Sequence, residues 1–252
     1  MPKYYESQFE EATIALLREA HWQYTVGDDI HRKYTDPLIE EDLRNFLTVQ
    51  YKDKNLTTSE MDSIVANLRN TGGQNDYYAL RNAFLLYRDG YDFAYSDGRD
   101  NPFRLEYIDF EHPDHNIFRC VNQFVMEQGR ENRRPDILLF INGIPVCIIE
   151  LKNPTKQNAT IHDAHTQICT RYMRDIPALL KYCALAVISD GAKNALGTTY
   201  TPFEFFYEWK KIENEDKAGK GLDTLRTLIR GALSPERILA VSYTHLTLPT
   251  KA

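Results

Sequence analysis

Between Asp136 and Glu150 every residue is apolar except Asn142, Gly143 and Pro145. Strands of that composition, Asp136 to Ile141 and Ile144 to Leu151, are normally buried on both faces of a sheet. Charged residues bracket them: Arg133-Arg134-Pro135-Asp136 before, Glu150-Leu151-Lys152 after. An ionised carboxylate at such a position is costly unless it is paired, hydrogen-bonded or coordinated. A divalent metal supplies one resolution. Mg²⁺ takes hard oxygen ligands and keeps several waters, so Asp136, Glu150 and a backbone carbonyl make a sufficient protein share. Such an ion would acidify a water and neutralise charge on a scissile phosphate, with Lys152 orienting the water or stabilising the developing charge. Glu150 and Lys152, two apart on a strand, share a face. The bland alternative is a surface Glu-Lys pair and a turn aspartate after proline.

Geometry adds a condition. With a two-residue Asn-Gly turn, Ile141 faces Ile144 and position 136 faces 149, which turns Asp136 away from Glu150. A three-residue loop, Ile141 to Gly143 with Gly143 left-handed, or an equivalent bulge, brings both carboxylates to one side. The chemistry therefore predicts the odd-length loop or a bulge, and the type I′ turn counts against it.

The rest of the 252 residues reads as an α+β domain. Glu6 to Ala20, Ile39 to Val49, Thr58 or Ser59 to about Arg69, and Asp76 to Tyr87 have helical spacing. The residues from Thr58 to Asp62 offer the cap of the third. Short strands are expected after Trp22, at Tyr91 to Tyr95, Phe103 to Phe110 and Ile117 to Phe124, at Ala184 to Ser189 and at Phe203 to Trp209. Helices are expected at Thr160 to Arg174 and Leu222 to Leu233. The expectation is a mixed central sheet flanked by helices, α/β/α-like, with residues 38–88 a mainly helical insertion into a 1–240 domain. Residues 241–252 do not continue the pattern and read as a foreign or mis-assembled tail.

Composition narrows the setting. No apolar run approaches the roughly 18 residues needed to cross a bilayer, and the N-terminus carries no hydrophobic signal region. Cys120, Cys147, Cys169 and Cys183 show no CxxC or Cys/His ligand spacing, so they read as reduced thiols of a cytoplasmic protein and support no zinc site. Thirty Lys and Arg against 36 Asp and Glu give a net charge of −6. Duplex-binding domains are usually basic, so DNA contact would need a local basic surface or other domains to hold the DNA, which counts against a self-sufficient nuclease. Arg130, Arg133, Arg134, Lys156, Arg171 and Arg174 surround the motif and could form such a surface, although for any one of them solvated surface charge is the plainer reading.

The run Arg134 to Thr155, RPDILLFINGIPVCIIELKNPT, closely resembles the nuclease signature of type I restriction R subunits, members of the PD-(D/E)xK superfamily. Glu6 to Tyr24 resembles that family's opening helix, Ile108 to Phe124 the strands before the active site, and Arg174 to Gly191 the segment after it. The resemblance implies a restriction-endonuclease-like fold and Mg²⁺-dependent hydrolysis of double-stranded DNA. It implies Asp136 and Glu150 as metal ligands, Lys152 as catalytic lysine and Glu10 as a nearby helix carboxylate, with Arg134, Lys156 and Arg171 as DNA contacts. The family also carries a glutamine and a tyrosine four apart on the helix after the lysine. Gln167 and Tyr172 are five apart here, and five residues of an α-helix overshoot a full turn by roughly 140°, so they would not stack as a four-spaced pair. They remain candidates beside the plain reading as helix residues.

The family implies modification and specificity subunits as partners, and an ATP-driven motor that would follow. The resemblance stops near Val241 and no GxxxxGK[ST] run is present, so ATP dependence would belong to the region beyond. Two other readings stand beside this one: a catalytically inert docking module of the same fold, and a free-standing repair-type nuclease.

Overall fold

The computed structural model describes residues 2–152, 160–209, 212 and 221–244. Its centre is a mixed six-stranded sheet in the order β1-β4-β7-β8-β9-β10. These strands are β1 (Gln23–Val26), β4 (Phe118–Asn122), β7 (Ile137–Ile141), β8 (Ile144–Leu151), β9 (Leu185–Ser189) and β10 (Asn194–Gly197). Two small hairpins stand outside it, β2 (Tyr91–Phe93) with β3 (Phe103–Leu105), and β5 (Met126–Gln128) with β6 (Glu131–Arg133). The β1-β4 and β8-β9 pairs are parallel and the others antiparallel. Every residue of β7 and β8 is buried, as their apolar composition favours, with Glu150 the one charged side chain among them.

The two faces carry separate cores. Ile137, Leu139 and Ile141 point into the larger one with Leu17 of α1 (Pro2–Glu19), Leu47 of α2 (Glu40–Gln50), Leu68 of α3 (Thr58–Asn70) and Phe84 of α4 (Asp76–Asp89). Leu138 and Phe140 point into the other, against Ala164 of α5 (Ile161–Thr166), Ile168, and the short turns α6 (Met173–Asp175) and α7 (Pro177–Leu180). Near the C-terminal end, α8 (Leu222–Leu228) and α9 (Pro235–Thr244) return to the larger core through Leu225, Leu228 and Ile238. Helices thus cover both faces of a mixed sheet, the α+β, α/β/α-like class expected. Of the segment 241–252, α9 takes in residues to Thr244, and residues 245–252 lie outside the described residues.

The segment 38–88 does more than interrupt the fold. It caps the closed end of the β7-β8 hairpin, where Ile39 N–H donates to the Gly143 carbonyl at 2.9 Å. The turn is the two-residue kind, with Asn142 and Gly143 both left-handed at φ 50° and 76°. Gly143 has a second reason to lack a side chain, since a Cβ there would lie 2.1 Å from the Ile39 carbonyl oxygen. Asn142 is wholly buried; its side chain donates to the Tyr107 carbonyl and to Asn116, and accepts from Ile117 N–H.

Several local expectations are corrected. Helix α3 is capped by Thr57, one residue earlier than read, whose hydroxyl accepts from Glu60 N–H while the Glu60 carboxylate accepts from Thr57 N–H. Residues 203–209 form a 3₁₀ turn, Phe203–Phe205, and one bridge from Tyr207 to Leu196 rather than a strand, because Pro202 starts a turn there. The helices at 160–174 and 222–233 each contain a π-helical turn, Gln167–Tyr172 and Ile229–Leu233.

Candidate active site

The hairpin meets the parity condition, though not through its loop. A three-residue loop is not what forms; the turn is type I′, and Ile141 faces Ile144. Between Leu139 and Phe140 the register shifts: Phe140 pairs with Pro145, but Leu139 pairs with Cys147. Val146 is the extra residue of this bulge, and it and Cys147 both turn into the larger core. Beyond the bulge Ile137 pairs with Ile149, so the next position sets Asp136 against Glu150.

Asp136 sits at the mouth of this hairpin. Its carbonyl accepts from Gln123 N–H at 3.3 Å, and its Oδ2 accepts from Leu151 N–H at 2.7 Å. Glu150 is 1% exposed, and its Oε2 is buried with no hydrogen-bond partner among the described residues. Its Oε1 accepts from Lys152 Nζ at 2.8 Å. Burial pushes the Glu150 carboxyl up to about 8, and the Asp136 charge adds to the push; the Lys152 ammonium and the Tyr172 hydroxyl oppose it. A carboxylate beside another carboxylate, with one oxygen unsatisfied in an apolar interior, is a poor stability device. The two groups are hard oxygen donors on one side of a sheet and fit a divalent cation in chemistry and register.

Lys152 is held from both sides. Besides Glu150, its ammonium donates to Gln167 Oε1 at 2.8 Å, and Gln167 Nε2 donates to the Tyr172 hydroxyl at 2.6 Å. The expectation that Gln167 and Tyr172 point apart is therefore wrong. The helix widens into a π turn over these six residues, and in a π-helix residues five apart are successive-turn neighbours. Burial raises the Tyr172 hydroxyl pKa, with the Glu150 charge adding to it, so the phenol stays protonated.

Glu10 is brought to the same region by β4. Its carboxylate accepts from Asn122 Nδ2 at 2.7 Å and from Gln123 Nε2 at 2.9 Å. Asn122 is opposite Ile137 and Gln123 bonds the Asp136 backbone, so Glu10 lies one residue's contact away from Asp136. Asn122 and Gln123 were not singled out from the sequence; only their place just ahead of the motif could have pointed to them.

Residues 3–205 match the family described as type I restriction enzyme R protein N terminus. The chain belongs to this family. The endonuclease subunit of type I restriction enzyme HindI from Haemophilus influenzae is 29% identical over 246 residues, 93% of this chain and 23% of that subunit. The MjaIXP relative from Methanocaldococcus jannaschii is 30% identical over 215 residues, covering 82% of this chain and 20% of its own. The EcoprrI endonuclease subunit from Escherichia coli is 31% identical over 133 residues, 49% of this chain and 40% of that subunit. This R-protein N terminus thus spans less than a quarter of the first two relatives.

The basic surface around the motif is smaller than the sequence suggests. Arg133 and Arg174 both close on Asp175, a carboxylate 4% exposed, at 2.7 and 2.6 Å, and Arg133 also reaches Glu131. Arg133, 29% exposed, spends its charge internally, whereas Arg174 remains 71% exposed beside its partner. Arg130, Arg134 and Arg171 are exposed, and Lys156 lies outside the described residues. No described helix is long and apolar enough to cross a membrane.

Proposed function

We propose that this R-protein N terminus is the DNA-cutting domain of a type I restriction system, hydrolysing phosphodiester bonds with Mg²⁺ held by Asp136 and Glu150. The observation that carries the reading is the Glu150 carboxylate, buried with one oxygen lacking a hydrogen-bond partner among the described residues and facing Asp136 across the ladder. When bound, the ion would supply positive charge to the scissile phosphate and acidify a water. The chain's own residues do the rest. Lys152, fixed between Glu150 and Gln167, presents an ammonium to the developing negative charge without reorganising. Gln167 and Tyr172 hold that ammonium in place as positioning residues, and Glu10 braces the Asp136 end through Gln123. Exposed Arg134 and Arg171, with Lys156, are the proposed phosphate contacts, a local answer to an overall charge of −6.

Residues 1–240 are proposed as one nuclease domain, working in the cytoplasm beside modification and specificity subunits. ATP enters only through a motor outside this chain. The test is cleavage of supercoiled double-stranded DNA with Mg²⁺, by this chain and by the same domain joined to a motor region of its own family. We expect Asp136→Ala and Lys152→Ala each to remove cutting by about a hundredfold or more with circular dichroism unchanged. Cutting that is missing in every context would leave the inert docking module as the better reading, and cutting that survives both substitutions would overturn the roles given to Asp136 and Lys152.

A further inference from the structure

At the other end of the β7-β8 hairpin, five residues and roughly 17 Å from Asp136, stands a second cluster of metal-ligating groups. Asp109, His112 and His115 follow one another at three-residue spacing, and one donor atom from each lies within 4.8 Å of the others. Both imidazoles turn Nδ1 toward the same oxygen, Asp109 Oδ2, at 3.5 Å for His112 and 2.9 Å for His115. Their rings stack with centroids 4.8 Å apart and planes 18° from parallel.

One imidazole N–H at 2.9 Å is enough to satisfy that oxygen. The second is too far for a good hydrogen bond, yet it is aimed at the same point. Ligand bonds of about 2.0–2.1 Å in a tetrahedral site put neighbouring donors about 3.3 Å apart, and the two N···O separations bracket that value. The carboxylate is also held in advance. Asp109 Oδ1 accepts from the N–H groups of Glu111 and His112, and Oδ2 accepts from Gln50 Nε2. Its backbone is locked by Asn116, which accepts from Asp109 N–H and donates to the Asp109 carbonyl. Asp109 is buried while both histidines stand at the surface, so an ion would have a fixed floor and an open approach.

We propose that Asp109, His112 and His115 form a site for a borderline divalent transition metal of the Zn²⁺ or Co²⁺ class, separate from the carboxylates at the hairpin mouth. Two imidazoles and one carboxylate suit such ions and not Mg²⁺, which prefers oxygen. The fourth position is open to water. Asn116, which clamps Asp109, also accepts from Asn142 in the hairpin turn. An ion here therefore tethers the loop that grips the central hairpin, and binding to the folded state alone raises stability.

The experiment uses the whole chain, as wild type and as Asp136→Asn to weaken the other site, with His112→Ala and His115→Ala made in each. Zn²⁺ and Mg²⁺ are added separately to chelator-treated protein, and bound metal and melting temperature are read. Co²⁺ supplies visible absorption and selective broadening of histidine ring signals in proton NMR. We expect one Zn²⁺ equivalent and an upward melting shift in Asp136→Asn, both lost in either histidine variant, with Mg²⁺ giving no histidine-dependent shift. Absence of Zn²⁺ binding in the parent proteins would overturn the proposal. So would binding that persists unchanged in both histidine variants, or Co²⁺ broadening of no ring signal assigned to His112 or His115. Because both side chains are exposed, their truncation leaves the core intact, and circular dichroism checks it.

Discussion

Glu150 concentrates the tension in this molecule. A carboxyl raised from 4.5 to about 8 by burial favours folding while it carries its proton. That contribution is fully present below the ordinary carboxylate value and is lost as pH rises through about 8. Without divalent ions, denaturant unfolding across pH 5 to 9 should show wild type losing stability over this window. Glu150→Gln should flatten that loss and be the more stable protein at pH 9, while losing the cleavage proposed for the site. A variant less stable than wild type at pH 9 would mean that the ionised carboxylate is already compensated.

Among elements, the informative ones depart from regular geometry. The Val146 bulge lets a type I′ turn coexist with Asp136 facing Glu150. The π turn at Gln167–Tyr172 performs the equivalent correction on a helix, placing a five-spaced pair within hydrogen-bond reach. If the π turn serves only to accommodate one extra residue, removing exposed Thr170 should return the helix to α geometry with the glutamine and tyrosine four apart. The deletion should keep its fold and its DNA cutting within about tenfold of the parent, whereas Tyr172→Phe, which removes the hydroxyl that Gln167 reaches, should slow cutting by more. Cutting abolished by the deletion in a folded protein would show that the π geometry itself is needed.

At the scale of the whole molecule, segments distant in sequence close around the sheet. Trp22 Nε1 donates to the Leu233 carbonyl at 2.7 Å across 211 residues, and the same ring meets Phe118 edge-on at 5.6 Å. The helical segment 38–88 is stitched in as firmly: Tyr107 and Tyr182 donate to the Ile64 and Leu68 carbonyls of α3, and Arg119 closes on Asp42 of α2 at 2.6 Å. Trp22→Phe should leave the Leu233 carbonyl without its buried donor and destabilise the chain by about 1–3 kcal/mol, read as a lowered urea midpoint with an unchanged slope. A smaller effect would mean that the C-terminal helices hold their place without this bond.

What could be read before any coordinates were those properties that depend on side-chain period and local chemistry. The apolar character of 137–141 and 144–149 dictated two central strands, while the choice between a two-residue Asn-Gly turn and an odd-length loop or bulge stayed open. The carboxylates flanking them marked the candidate site, because a charge beside a dry strand needs a reason. The main helices followed from their 3.6-residue spacing. Lost at that stage was everything decided by one residue of register. A bulge and a π turn each cost little locally and are selected by what packs against them: Val146 turns toward the larger core, and Ile168 and Tyr172 pack under the sheet. The placement of Glu10 beside Gln123 and the capture of Arg133 by Asp175 also join residues tens of positions apart or more. Such contacts exist only once the sheet has formed, which is why sequence periodicity marked the donors of the site but tertiary packing alone decided which of them meet.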